Sequence, residues 1–118
     1  MGVNDIATRV ADRLINAYTL YIGTNSKDGS GSSSYEETKQ LAIDLALKYV
    51  GGYTIYDAQG GWTNSQGVAE SEDTIVLVLV TDDKAAVRAV AEEMSKALNQ
   101  EAILVQSDRL ALGYYEGE

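Results

Sequence analysis

Six apolar residues in a row, Ile75-Val76-Leu77-Val78-Leu79-Val80, run straight into Thr81-Asp82-Asp83. Four of the six are β-branched, so the run favours extended backbone. Such a strand is apolar on both faces and needs cover on both, which places it at the centre of a sheet. It is far too short to cross a bilayer as a helix. The rest of the chain has to supply its neighbours.

Periodicity supplies them in order. Asn4 or Asp5 can cap a short N-terminal helix on which Ile6, Val10 and Leu14 recur every four residues. Ala17–Gly23 alternates, with Tyr18, Leu20 and Ile22 on one face, and reads as a half-buried strand. Ser26–Ser34, rich in Gly, Ser and Asp, reads as a loop. Ser34-x-x-Glu37 is a capping box, and Leu41, Ala42, Leu45, Ala46 and Tyr49 follow at helical spacing until Gly51-Gly52. A strand is predicted from Tyr53 through Trp62, a turn at Asn64–Gly67, and a returning strand over Val68–Thr81. Asp82 or Asp83 opens a last helix with Val87, Val90, Ala91, Met94 and Leu98 on its apolar face, and Asn99 closes it. Ala102–Gln106 is the last predicted strand, and Leu110–Glu118 is left unassigned.

After the N-terminal helix the order is β-α-β-β-α-β, the split βαβ pattern. The expectation is therefore a single α+β domain over 1–118, a four-stranded antiparallel sheet with two helices on one face. Alternation leaves either parity, Tyr18-Leu20-Ile22 or Thr19-Tyr21, for the bare face, and Thr54 and Tyr56 share that choice. A bare, partly aromatic face calls for a partner subunit, so a homo-oligomer is expected.

Composition narrows the chemistry. The 118 residues include no Cys and no His, which removes disulfides, thiolate metal sites and the commonest general base. Eighteen acids against nine bases give a net charge of -9, which opposes binding to DNA or RNA polymers. A small phosphorylated ligand stays open, because backbone N–H groups and one or two cations suffice to hold it. Met1–Ile6 has no basic stretch ahead of an apolar run, so no signal peptide and no membrane partner are expected. Paired acids such as Asp82-Asp83 and Glu92-Glu93 read as solvated faces, and no metal-ligand or triad spacing is present. Acylphosphatases share the split βαβ layout but carry an Arg in the loop after the first strand, where this chain has Lys27. The expectation is a binder, not an enzyme, without cofactor or metal.

Several residues could serve binding, each with an ordinary structural reading beside it. Gly23-Thr24-Asn25, with Lys27, follows a strand and offers N–H groups, a hydroxyl and a cation for phosphate, or is a plain connection. Trp62, the only Trp, lies between glycines and a polar turn and is either a packing anchor or a plate for a base. Arg109 can hold phosphate through paired bonds or form an ion pair with Asp108. Asn99 is either a helix C-cap or an amide partner for base or ribose.

Taken as an ordered set, Tyr18–Asn25 with Lys27-Asp28-Gly29, Gly51–Tyr56, Gly61-Trp62, Glu72-x-Thr74 and Leu98–Glu101 resembles the phage-encoded Thoeris anti-defence proteins of the first described type. The resemblance spans about 17–106. It implies a cytoplasmic protein of the infected bacterial host that sequesters cyclic ADP-ribose signals, the glycocyclic form included, without degrading them. It further implies dimers assembling into hexamers, and in some members a separate intersubunit site for cyclic oligonucleotides. Gly23–Asn25, Trp62, Asn99 and Arg109 are the positions it carries over. A similar Gly-Tyr/Phe-Thr…Gly-x-Trp pattern occurs in uncharacterised, mostly secreted bacterial proteins, for which a structural or protein-binding module is the alternative.

Overall fold

A computed structural model of the chain describes residues 13–24, 34–100 and 102–113. Six elements follow in sequence: β1 (Arg13–Gly23), α1 (Tyr35–Tyr49), β2 (Thr54–Thr63), β3 (Ala69–Val80), α2 (Lys84–Leu98) and β4 (Leu104–Leu112). The strands form one antiparallel sheet in the order β2-β3-β1-β4. The apolar run is thus central, as its composition requires. The split βαβ arrangement of four strands and two helices holds.

Leu20, Ile22, Ile75, Leu77 and Leu79 are sealed from solvent against Ala42, Leu45 and Ala46 of α1 and Val87, Val90, Met94 and Leu98 of α2. That settles the parity. Tyr18, Leu20 and Ile22 face the helices, while Thr19 and Tyr21 of β1, Val76 and Val78 of β3 and Thr54 and Tyr56 of β2 share the opposite face.

Local signals set the helix ends. The Ser34 hydroxyl accepts from the Glu37 N–H at 3.1 Å, and the chain leaves α1 through Gly51 at φ 95°. At α2 the cap is Asp83, whose carboxylate accepts from the Ala86 N–H at 3.0 Å. Tyr49 donates its hydroxyl to Glu93 across the two helices.

Two boundaries differ from the sequence reading, and they share a cause. β1 begins at Arg13, so Leu14 lies on a strand and not on a helix; the rest of the expected N-terminal helix falls outside the described residues. β4 runs from Leu104 to Leu112, not from Ala102 to Gln106. The added residues pair with each other, Arg13 with Leu112 and Asn16 with Arg109. The pairing is long-range, and the added residues mix apolar and polar types without alternation, so no local pattern announces them. Among the described residues no helix is long and apolar enough to cross a membrane.

Candidate ligand-binding site

At the exit of β1 several segments are tied together. The Thr24 hydroxyl donates to the Asp73 carbonyl at 3.0 Å, fastening the end of β1 to β3. The Gln100 side-chain amide donates to the Gly23 carbonyl, and the Ser95 hydroxyl donates to the Gln100 carbonyl at 2.7 Å. The C-terminus of α2 is thereby anchored to the end of β1. Asn99 adopts the left-handed conformation at φ 52° and caps α2, the ordinary structural role open to it. Gly23 is glycine for a steric reason: a Cβ there would collide with the Glu72 carboxylate, which lies over it.

Beyond this point β2 and β3 continue as a hairpin arm. Asn64 closes its turn by accepting from the Gln66 and Val68 N–H groups at 2.9 and 3.0 Å, with Gly67 at φ 80°. Register sets Gly60 opposite Glu72 and Trp62 opposite Glu70. All four lie on the face turned away from the helices, with Tyr56. Trp62 is 45% exposed, and Gly60 on the same face places no side chain beside its ring. The arm therefore presents an aromatic plate next to bare backbone at Gly60.

On the helix side, Tyr35 donates its hydroxyl to Asp57, and Lys39 sits 3.4 Å from the same carboxylate. Burial pushes the Tyr35 phenol up to about 12, helped by its bond to Asp57 and by the charges of Asp57, Asp73 and Glu36. The Tyr35 bond, then Lys39, holds Asp57 below the usual carboxylate range. Near neutrality the pair is a fixed donor and acceptor, suited to orientation and not to proton transfer. Because the folded state raises the Tyr35 pKa, its contribution is whole below pH 10 and fades as pH climbs toward about 12. The Asp57 contribution is whole at neutral pH and fades as pH falls through the depressed value. Thermal melts from pH 9 upward should show Tyr35→Phe losing part of the alkaline destabilisation of the parent. Identical alkaline limbs in the two proteins would contradict this coupling.

Arg109 lies elsewhere. Its guanidinium donates to the Asn16 side chain at 3.1 Å and sits 3.6 Å from Asp82, which also accepts from the Asn16 N–H at 2.9 Å. Asp108 is not its partner, because neighbours on a strand point to opposite faces; Asp108 accepts from Gln106 instead. Asn16 and Gly23 are seven positions apart on β1, or roughly 23 Å at about 3.3 Å per residue. One chain thus gathers Gly23, Thr24 and the Asn99 corner at one end of the sheet, sets Trp62 further out on the arm, and leaves Arg109 at the other end. Asn25 and Lys27 lie outside the described residues.

Sequence reasoning did not assign roles to Glu72, Gly60, Tyr35 or Asp57. The first two had a usable signal. A turn at Asn64–Gly67 fixes the hairpin register, and register alone puts Glu72 across from Gly60.

A comparison with curated protein sequences finds no match. Among solved structures, the fold is similar to a phage SAM lyase in complex with S-methyl-5'-thioadenosine, with a TM-score of 0.65 and 15% identity over 83% of each chain. A phage SAM lyase in the apo state gives 0.61 and 14%, covering 86% of this chain and 92% of that one. The periplasmic divalent cation tolerance protein CutA from Archaeoglobus fulgidus gives 0.56 and 14%, covering 86% and 88%. At such identities the likeness is one of fold. A family model matches residues 17–113, most of the chain, and the protein therefore belongs to the family described as protein of unknown function (DUF3574).

Proposed function

We propose that this chain sequesters a small phosphorylated nucleoside signal of the cyclic ADP-ribose class, glycocyclic ADP-ribose included. In this reading it acts as a homo-oligomer in the cytoplasm of a phage-infected bacterium and does not degrade what it holds. Trp62 carries the reading. A lone Trp, 45% exposed on a projecting arm with the bare Gly60 on the same face, supports a role as a stacking surface. Support also comes from the ordered motif set over 17–106, and from a nucleoside complex on the same fold in a phage protein.

Affinity argues for a shared site. Out-competing a receptor requires about -9 to -12 kcal/mol. One stacked base contributes about 1–3 kcal/mol and each charge-assisted phosphate bond about 1.5–3 kcal/mol. Two such bonds and one stack fall short of the upper part of that range, so apolar burial between subunits makes up the difference. The β4 edge supports assembly. Leu104 and Val105 on it are 68% and 41% exposed, and an uncovered edge with apolar side chains invites a partner strand. In such an assembly Arg109 of one subunit can join Gly23, Thr24, Trp62 and Asn99 of another.

The same exposed edge favours a second reading, a structural or protein-binding module without a small ligand. Heating the loaded protein separates the alternatives. Release of intact cyclic ADP-ribose supports sequestration, and recovery of only a cleaved product marks an enzyme. No change in Trp62 fluorescence with any nucleotide signal, together with an oligomer by native mass spectrometry, leaves the module.

A further inference from the structure

β4 is an edge strand without cover. It ends the sheet order β2-β3-β1-β4, and every residue from Leu104 to Arg109 on it is exposed. β2, the other edge, is less suited to a partner: Gly60-Gly61 interrupts it, and Asp57 is held by Tyr35 and Lys39. β4 carries neither Gly nor Pro, and its only charges are Asp108 and Arg109. Its outer row of N–H and C=O groups is a template for another strand.

We infer that this strand is β4 of a second copy, paired antiparallel about a two-fold axis at Ser107. Residues facing each other across such an axis stand equally far from it on opposite sides. With the axis at Ser107, Leu104 faces Leu110, Val105 faces Arg109 and Gln106 faces Asp108 of the second copy. Apolar meets apolar, and the Arg109 stem lies along Val105. The Gln106 amide gives one N–H to its own Asp108 and has a second for the Asp108 across the ladder. Moving the axis one residue either way fails. At Asp108 two carboxylates face each other, and at Gln106 each Leu104 faces an Asp108. The side chains thus select one register. Facing residues point to the same side of a sheet, so the helices of both copies lie on one side of a continuous sheet. Arg109 of the second copy then stands across from Val105, whose partner on β1 is Leu20, three positions from Gly23. The inference rests on the homo-oligomer of the proposed function and names its contact, without using the ligand.

The chain has no Cys, so a single introduced thiol reports the axis. Only at Ser107 does a side chain face its own counterpart, at about 4.5–5.5 Å between Cβ atoms, close to the roughly 3.5–4.5 Å of a disulfide. With a mild oxidant and no nucleotide, Ser107→Cys should shift from monomer to dimer on non-reducing gels. Val105→Cys, on the same face, should stay monomeric, because its counterpart lies four residues, or about 13 Å, along the ladder. Leu104→Lys should raise the dissociation constant of the dimer at least roughly tenfold in sedimentation equilibrium, since a two-fold contact loses the Leu twice. Equal cross-linking at 105 and 107, or a parent that is monomeric at every concentration, overturns the pairing. So does an oligomer in which Ser107→Cys stays uncross-linked, which assigns assembly to another surface. Because no nucleotide is present, a cross-link at Ser107 stands even where cyclic ADP-ribose is never captured, and a missing cross-link leaves capture to be judged by titration.

Discussion

Leu77→Ala is expected to lower the unfolding free energy by about 2–5 kcal/mol, the range for truncating a sealed Leu. Leu77 is 0% exposed and sits on the interior strand β3, between Leu20 on β1 and Ile55 on β2. Both neighbours are held by ladder hydrogen bonds, so the backbone cannot close over the space left behind. The loss therefore includes the cavity as well as the transfer of the missing carbons. Urea denaturation followed by circular dichroism should show the midpoint falling with the slope unchanged. In thermal melts the shift should be at least roughly 6 °C. Leu47→Ala is the control, because Leu47 on α1 is 52% exposed and its loss should change stability by no more than about 0.5 kcal/mol. A Leu77→Ala protein as stable as that control would mean that the apolar run is not the centre of the sheet.

The prediction leans on a segment whose place could be read from residue order alone. Six apolar residues in extended backbone leave no polar face to turn outward, and the strand order β2-β3-β1-β4 puts them inside. Ser34 and Gly51 were legible for a similar reason, since capping geometry is decided within a few residues. The start of β1 was not. Ile6, Val10 and Leu14 fit a helical period, and only pairing with residues near 110, almost a hundred positions away, draws Leu14 into a strand. The candidate site divides along the same line. Trp62 stood out because it is unique and flanked by glycines, a local property. The seat of Glu72 depends on three strands meeting in register, and Arg109 was separated from Gly23 by a register that no local pattern encodes.

Trp62→Ala should weaken capture of a cyclic ADP-ribose by about 1–3 kcal/mol, or roughly 5- to 150-fold, the worth of one base stacked on an aromatic ring. Its melting temperature should stay close to that of the parent, because the side chain is 45% exposed and lies outside the core. Trp62→Tyr, which keeps an aromatic plate, should recover most of the affinity. If Trp62 instead anchors a subunit contact, the signature changes: native mass spectrometry would show smaller assemblies of the Ala variant even without nucleotide. Arg109→Ala then tests how the site is built. Arg109 lies roughly 23 Å from Gly23 within one chain, by strand rise, too far for both to touch one small ligand. Its exposed pair with Asp82 is worth about 0–1 kcal/mol, so removing it should leave the fold intact. A loss of about 1.5–3 kcal/mol in capture, alongside the Trp62 effect, requires two subunits to close on one molecule. Unchanged capture confines the site to the hairpin arm of a single subunit, where the Trp62 plate and the floor at Gly60 must hold the nucleoside without that guanidinium.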